Sequence, residues 1–494
     1  MYFMVTVPRI EYMKPIMHHQ TYYVIGVNIS MSSQTANRPI DLRPIMEMEV
    51  GQPLEYFRTV PIRLGEGQPR AFLTVYSADF DIDSGYKMFS FPTDTLKMMV
   101  YTDKGEILWR RDFGPGVVPG TCFTNFFAFD LDGDGVEEIW FVNNLDTIHP
   151  FNLYEYVLER INPLTGEATG QWPWPNNNPN QSPSLAFRQH IFAGYANGEP
   201  VLITAQGTYG PTYIQAWNVD MTYRWTKSII PGEDGPQGSH VFPVVDINKD
   251  GIDEFMWGER CISVDTGDEI FRCDGVDCWS GHSDMIQPIL NPADGRWYIY
   301  INREKLEDQG PRVLLYDDQG NRVWGQVAAG HIHKGWIGRI GPNGEMIATA
   351  GEIGAQARDL QGRYYTGIKE YSFDAWSGDP VQLPYSTFDT APIDLNGDGF
   401  HEIVYGVSAG NARVIDRFGN PIKELGGRIV MASKIIDHPG EQLLVYHKSG
   451  KVQIWGDVNA QDTPEALERY ANPFYKFNQK YPTKDYVMCM LGGV

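Results

Sequence analysis

A unit made of a short apolar strand, a tight polar turn and a second apolar strand recurs eight times along this chain, and no other feature restricts its fold as strongly. Three copies are close to one another: FAFDLDGDGVEEIWF from Phe127, FPVVDINKDGIDEFMWG from Phe242 and APIDLNGDGFHEIVYG from Ala391. Weaker copies turn at Asp83-Ser84-Gly85, Asn197-Gly198-Glu199, Asp294-Gly295, Asn343-Gly344-Glu345 and His438-Pro439-Gly440-Glu441. Each is followed by a second hairpin, such as VYTDKGEILW, IQAWNVDMTYRW or VLLYDDQGNRVWG. A four-stranded repeat with turn residues at both hairpins cannot bury its faces alone, but it can when copies pack radially. The sequence therefore predicts an all-β chain folded as a single β-propeller of about eight four-stranded blades, or seven if the terminal repeats combine. Residues 1–60 are read as an N-terminal extension that can close the ring, 61–460 as the propeller, and 461–494 as a C-terminal extension packed on it.

Composition sets limits on partners. The chain of 494 residues carries 40 Lys and Arg against 62 Asp and Glu, a formal charge of -22. Nucleic acid and anionic membranes both attract positive fields, so neither is an expected partner. No apolar run approaches the roughly 20 residues that span a bilayer, and residues 1–30 lack a clean signal-peptide core. A monomer is expected. The five cysteines form no regular framework. Cys273, Cys278 and His282 offer a zinc site of weak pattern, a Cys273–Cys278 disulfide is the alternative, and free thiols are the third reading.

In the three close copies, oxygen-bearing residues fall at positions 1, 3, 5 and 9 of the turn. They are Asp130, Asp132, Asp134 and Glu138; Asp246, Asn248, Asp250 and Glu254; and Asp394, Asn396, Asp398 and Glu402. Alternating oxygen ligands around a glycine turn suit a hard cation such as calcium. The flanking segments are strands, which excludes an EF-hand. In a four-stranded blade these turns all open on one face, so structural calcium at about three sites is expected there.

Ligand chemistry is expected on the opposite face, where inter-blade loops enter the innermost strands. At that point successive repeats carry His190, His240, His282, and His331 with His333. Loops of the same face add His149, Tyr209, Tyr213, Arg260, Arg303, Lys305, Arg358, Arg363, Tyr364 and Tyr365. A His and Tyr set with Arg or Lys suits β-elimination from a uronic acid: a cation neutralises the carboxylate, a base removes the proton on carbon, and an acid protonates the departing oxygen. Neighbouring cations are expected to lower the tyrosine pKa. Glycoside hydrolysis by paired carboxylates, including release of terminal rhamnose, and a non-catalytic glycan-binding propeller are the competing readings.

The order FFAFDLDGDGVEEIW, then AGYANGEPVLITAQGTYGPTYIQAWNVDMTYRWT, then QGSHVFPVVDINKDGIDEFMWG and GHSD resembles the propeller polysaccharide lyases. These are the rhamnogalacturonan lyases of family 11 and the ulvan lyases of families 24 and 25. The resemblance covers roughly residues 105–352. It implies β-elimination on an anionic polymer of rhamnose and uronic acid, bound calcium, and a secreted or periplasmic location. It further implies His149, His190, Tyr209 and Arg260 as catalytic residues, with His149 or Tyr209 as base or acid and Arg260 with His190 neutralising the carboxylate. His240, His282, His331, His333, Arg303 and Tyr364 are expected to bind substrate. VNNLDTIHPFN stands where the rhamnogalacturonan enzymes carry a different stretch, and no counterpart of their N-terminal β domain is expected in these residues. Both points favour ulvan, whereas eight repeats favour rhamnogalacturonan.

Overall fold

Eight sheets follow one another in sequence order. The computed structural model describes residues 39–494 apart from 86–88, 175–186, 231–234, 305–309, 360–361, 409 and 482–489. Seven of the sheets have four strands and one has three. Blades 1 to 8 span residues 56–112, 126–173, 189–229, 244–272, 283–326, 331–374, 390–424 and 428–457. The first strands of neighbouring blades touch one another and so line the central channel. The ring is closed from outside this series, because Leu42–Glu49 pairs antiparallel with Lys451–Asp457 as the fourth strand of blade 8. That pairing covers an edge that would otherwise template association.

Burial follows radial position. Ala71–Ser77 is buried at every residue, as expected of a strand covered on both faces, while the outermost strand of the same blade, Ile107–Asp112, alternates. A repeated latch joins blades pairwise. Trp109 Nε1 donates to the carbonyl of Pro163 at 2.7 Å, Trp225 Nε1 to Val264 at 2.9 Å and Trp324 Nε1 to Ala375 at 3.0 Å. In each case the acceptor is in the following blade, and a glycine of that blade's outer turn lies on the indole. A Cβ on Gly166 would sit 2.5 Å from the Trp109 ring, and Gly267 and Gly378 are equivalent. Only a residue without a side chain fits there.

Blade 6 departs from the expected four strands. Its strands Met346–Ile353 and Lys369–Asp374 are separated by an inserted hairpin, Ala355–Asp359 with Gly362–Thr366. Its fourth strand is reduced to a bridge between Phe373 and Pro380. Pro380 and Pro384 lack the N–H that a ladder needs.

Beyond blade 8 the chain crosses the acidic-turn end of the channel. Helix α1, Pro464–Ala471, starts at Thr463, whose hydroxyl accepts from Ala466 N, and α2, Pro473–Asn478, begins on a second proline. Asn478 accepts from Val244 N at 3.1 Å and donates to Val244 O at 2.9 Å, at the end of blade 4's innermost strand. Phe477 packs on Phe127 and Phe129 of blade 2, and Tyr481 on Phe127 and on Phe192 of blade 3. Gln287 of blade 5 donates to Met490 O at 3.3 Å, and the Tyr475 hydroxyl accepts from Lys434 N at 2.7 Å beside blade 8. The segment thus stoppers one mouth of the channel. No helix among the described residues is long and apolar enough to cross a membrane.

Candidate active site

At the other mouth, four imidazoles surround one carboxylate. Asp284, second residue of Ser283–Leu290 and 1% exposed, has Oδ1 3.3 Å from His240 Nε2 and 3.2 Å from His282 Nε2. Its Oδ2 lies 3.1 Å from His331 Nε2 and 2.9 Å from His333 Nδ1. Glu304 adds a second carboxylate, 3.5 Å from His331 Nε2.

Local backbone irregularities make this convergence possible. The blade 5 ladder shifts register between Ser283 and Met285, around Asp284, and the blade 6 ladder shifts between Ile332 and Lys334, around His333. In a regular strand neighbours point to opposite faces, and a bulge re-aims one of them. A parallel bridge from Ser239 to Ser283 brings His240 beside His282 and Asp284. Blade 4 turns between its second and third strands with Gly258 and Glu259 alone, leaving this sector of the mouth low.

Burial opposes charge on Asp284, yet the imidazoles, His333 foremost, hold its carboxyl well below the usual range. Burial lowers the pKa of His240, His282 and His333, while Asp284 outweighs burial at His331 and raises it. Burial, with the charge of Asp284, raises Glu304. Among the described residues, the buried Nδ1 of His282 has no hydrogen-bond partner and its buried Nε2 has only Asp284 Oδ1 beside it, at 3.2 Å and poorly aligned. A buried polar atom left unsatisfied is costly, and a cation bonded to it removes that cost. His240, His282 and Asp284 place ligand atoms within 4.8 Å of one another, as do Asp284, His331 and His333. These residues fit a divalent metal ion with mixed nitrogen and oxygen donors.

Tyr209 borders the cluster. Its hydroxyl lies 3.5 Å from His240 Nε2, its ring centroid 4.3 Å from that of His282, and the Arg188 guanidinium stands over it at 4.7 Å. Burial pushes the Tyr209 hydroxyl well above the usual phenol range, against the pull of Arg188. The expected lowering by cations is therefore reversed, and the phenol keeps its proton. On the other flank the inserted hairpin of blade 6 carries Tyr365, whose hydroxyl lies 3.2 Å from His333 Nε2. Lys334 Nζ is 5.8 Å from the Tyr365 ring and 2.7 Å from Asp389 Oδ1.

His240, His282, His331, His333 and Tyr209 are thus brought together. Other sequence candidates go elsewhere. His190 packs against Phe242 and Trp257, with ring centroids 4.5 and 5.9 Å away, and burial with the nearby Arg188 charge drives its pKa down to about 3. It is neutral and cannot balance a carboxylate. Arg260 is buried, donating to Pro236 O at 3.0 Å and to Glu269 at 2.5 Å. Arg303 pairs with Glu259 at 2.5 Å and with Asp274 at 3.3 Å. His149 is exposed on the blade 2 loop, and among the described residues its ring makes no hydrogen bond or ion pair with the cluster. Tyr364 is exposed on the inserted hairpin. Lys305 and the side chains of Arg358 and Arg363 lie outside the described residues.

Of the three cysteine readings, the described residues fit free thiols. Cys261, Cys273 and Cys278 are unpaired by disulfides, and His282 turns to Asp284 and Tyr209 rather than to Cys273 and Cys278. Sequence reasoning missed Asp284, Glu304, Arg188 and Lys334, whereas Tyr365 was among the loop residues it placed on this face. Asp284 was visible as the last residue of GHSD and Arg188 within FRQH, but neither is recognisable without the bulge and the stacking.

The three acidic turns share one internal geometry on the stoppered face. The position-9 glutamate accepts from the position-2 N–H in each: Glu138 from Leu131 at 3.1 Å, Glu254 from Ile247 at 3.0 Å and Glu402 from Leu395 at 2.9 Å. The position-1 aspartate accepts from the position-6 glycine at 3.0 Å in all three. Burial pushes Glu138 up to about 7, Glu254 to about 8 and Asp394 to about 7, and raises Glu402 strongly. Asp130, Asp132 and Asp134 have ligand atoms within 4.8 Å of one another.

Fold and site together define an eight-bladed propeller with a histidine and carboxylate centre at one channel mouth. No family model matches the chain. It is 27% identical over 289 residues to the rhamnogalacturonan exolyase YesX of Bacillus subtilis strain 168, which is 51% of this chain and 45% of that protein. The rhamnogalacturonan endolyase YesW of the same organism matches at 27% over 286 residues, 51% of this chain and 44% of that protein. The match therefore spans a little under half the length of these relatives. Among solved structures, YesX superposes with a TM-score of 0.71 at 17% identity over 89% of this chain and 80% of that one. A Bacillus licheniformis rhamnogalacturonan lyase gives 0.66 at 18% identity, over 89% and 80%. The propeller fold is shared, and the resemblance to rhamnogalacturonan lyases read from the sequence is borne out.

Proposed function

We propose that this chain is a polysaccharide lyase that cleaves a polymer of rhamnose and uronic acid by β-elimination. Rhamnogalacturonan replaces ulvan as the preferred substrate, because the relatives named above are rhamnogalacturonan lyases. The observation that carries the reading is Asp284 inside its ring of imidazoles, beside a protonated Tyr209 and the Arg188 guanidinium. In β-elimination a base takes the proton from carbon 5 of the uronate, a role we give to the imidazole of His331, the partly exposed member of the cluster outside the His240, His282 and Asp284 set. A double bond forms between carbons 4 and 5, and the bond from carbon 4 to the glycosidic oxygen breaks. A divalent cation held by His240, His282 and Asp284 would supply a Lewis acid that neutralises the uronate carboxylate. Arg188 adds a fixed positive charge at the rim, and Tyr209 holds a proton for the departing oxygen. Polymers of this class do not cross membranes, so we propose that the protein acts outside the cytoplasm.

Incubation with rhamnogalacturonan and, separately, with ulvan tests this. Ultraviolet absorbance of the unsaturated uronate is expected to rise on rhamnogalacturonan alone. A rise on ulvan alone reverses the substrate preference, and no rise on either polymer, with folded and metal-supplied protein, removes the lyase reading.

We also propose calcium in the three acidic turns, supported by their oxygen ligands and by the burial of Asp130, Glu254, Asp394 and Glu402 among them. Ions that bind only the folded state stabilise it by mass action. Chelation is expected to lower the melting temperature by roughly 5–15 °C, on the order of a few kcal/mol for a domain of this size. Asp394→Ala should lower it in calcium and blunt the further drop on chelation. Identical melting with and without chelator would leave these turns as ordinary acidic hairpins.

A further inference from the structure

Beside the candidate active site, two loops of the same face expose an aromatic surface that the proposed chemistry does not use. Phe91, in the connection between the second and third strands of blade 1, is 70% exposed, and Phe151, in the corresponding connection of blade 2, is 40% exposed. Tyr154, 79% exposed, follows in the same loop. Their exposure is built in. Phe91 packs on Phe89 and Phe151 with ring centroids 5.2 and 5.9 Å apart, and Phe151 packs on the buried Phe187 at 5.6 Å. The blade 2 loop is fixed by Asp146, which accepts from Ile148 N at 3.0 Å, His149 N at 2.9 Å and Asn152 Nδ2 at 3.0 Å. A folded chain gains nothing by holding large apolar rings in water, and contiguous exposed apolar surface marks a binding site.

The shelf is linked to the catalytic mouth. Phe151 packs on the buried Phe187, and Arg188, next to Phe187 in the chain, stacks on Tyr209, so a series of packed rings links the exposed shelf to the phenol. We propose that this shelf is a binding subsite for the 6-deoxyhexose next to the reacting uronate. This rests on the lyase reading for the identity of the polymer. The charge pattern supports the choice: the cationic groups stand at the mouth, where a carboxylate belongs, and the shelf presents uncharged rings. A 6-deoxyhexose carries a methyl group where other hexoses carry a hydroxymethyl, so more of its surface is apolar and suited to aromatic faces. A second copy of this chain is the competing occupant.

The test uses Phe91→Ala combined with Phe151→Ala in the full chain, both at exposed positions. Native electrophoresis in gels containing rhamnogalacturonan is expected to show wild-type retardation, with the apparent affinity of the double variant falling about tenfold. Homogalacturonan, which lacks the deoxy sugar, should bind the two proteins alike. In turnover, KM for rhamnogalacturonan should rise with kcat little changed. Unchanged affinity in the double variant, or an equal loss on homogalacturonan, overturns the subsite. So does sedimentation velocity that shows a wild-type dimer dissociated by the two substitutions. Shelf-dependent binding without any turnover would remove the lyase reading while leaving the subsite standing.

Discussion

Asp284→Ala is expected to lower kcat/KM on rhamnogalacturonan by at least about a thousandfold, the several kcal/mol that a metal centre contributes to stabilising charge. Asp284 touches four imidazoles, and it belongs to both groups of candidate ligands. Its removal takes away the charge that gathers a cation and the acceptor that orients the rings. The fold should survive. Breaking a buried ion pair is severe when the remaining charge cannot be discharged, but burial already pushes His240, His282 and His333 towards the neutral form. Metal content by plasma mass spectrometry, measured alongside turnover and the melting curve, checks the argument. Wild-type protein should carry a divalent ion that survives desalting and is lost from the variant. Activity within tenfold of wild type in a metal-depleted variant would take this centre out of the reaction.

Tyr209→Phe is expected to cost about a hundredfold to ten-thousandfold in kcat, the usual range for loss of a positioned proton donor. The substitution keeps the ring that stacks under Arg188 and against His282, so KM should move far less than kcat. A substrate bearing a better leaving group, which needs less protonation as its bond breaks, should narrow the gap between variant and wild type. If both substrates lose rate equally, Tyr209 positions other groups and does not donate the proton.

The architecture was legible because a repeat shows itself through turns, and turns depend on local chemistry. The acidic loops placed the first hairpins of blades 2, 4 and 7, and that register put His240, His282, His331 and His333 at one mouth. Blade 1 was misplaced, because its first hairpin joins Tyr56–Ile62 to Ala71–Ser77 and Asp83-Ser84-Gly85 lies in the next connection, on the opposite face. The centre of the site was less visible. Asp284 reads as one aspartate among many, and its role depends on a register shift at Ser283–Met285 that no side-chain pattern announces. Arg260 and Arg303 illustrate the opposite error. Both follow the right strands, but buried glutamates claim them, Glu269 and Glu259 respectively. Such pairings are set by packing between strands and turns distant in sequence. His190 sits at a position equivalent to His240, but aromatic neighbours from the next blade make it a packing residue.

The C-terminal segment across the acidic-turn end turns the channel into a blind well. A polymer cannot be threaded through such a protein, so no strand can be fed in at one side and released at the other. Whatever enters the well must leave by the same opening, so under the lyase proposal a freshly cut fragment lodged there would block its successor until it backed out. Branches carried by the polymer can stand out into solvent, since only the segment over the opening must fit. For the proposed lyase, cutting would therefore proceed by separate encounters with the rim.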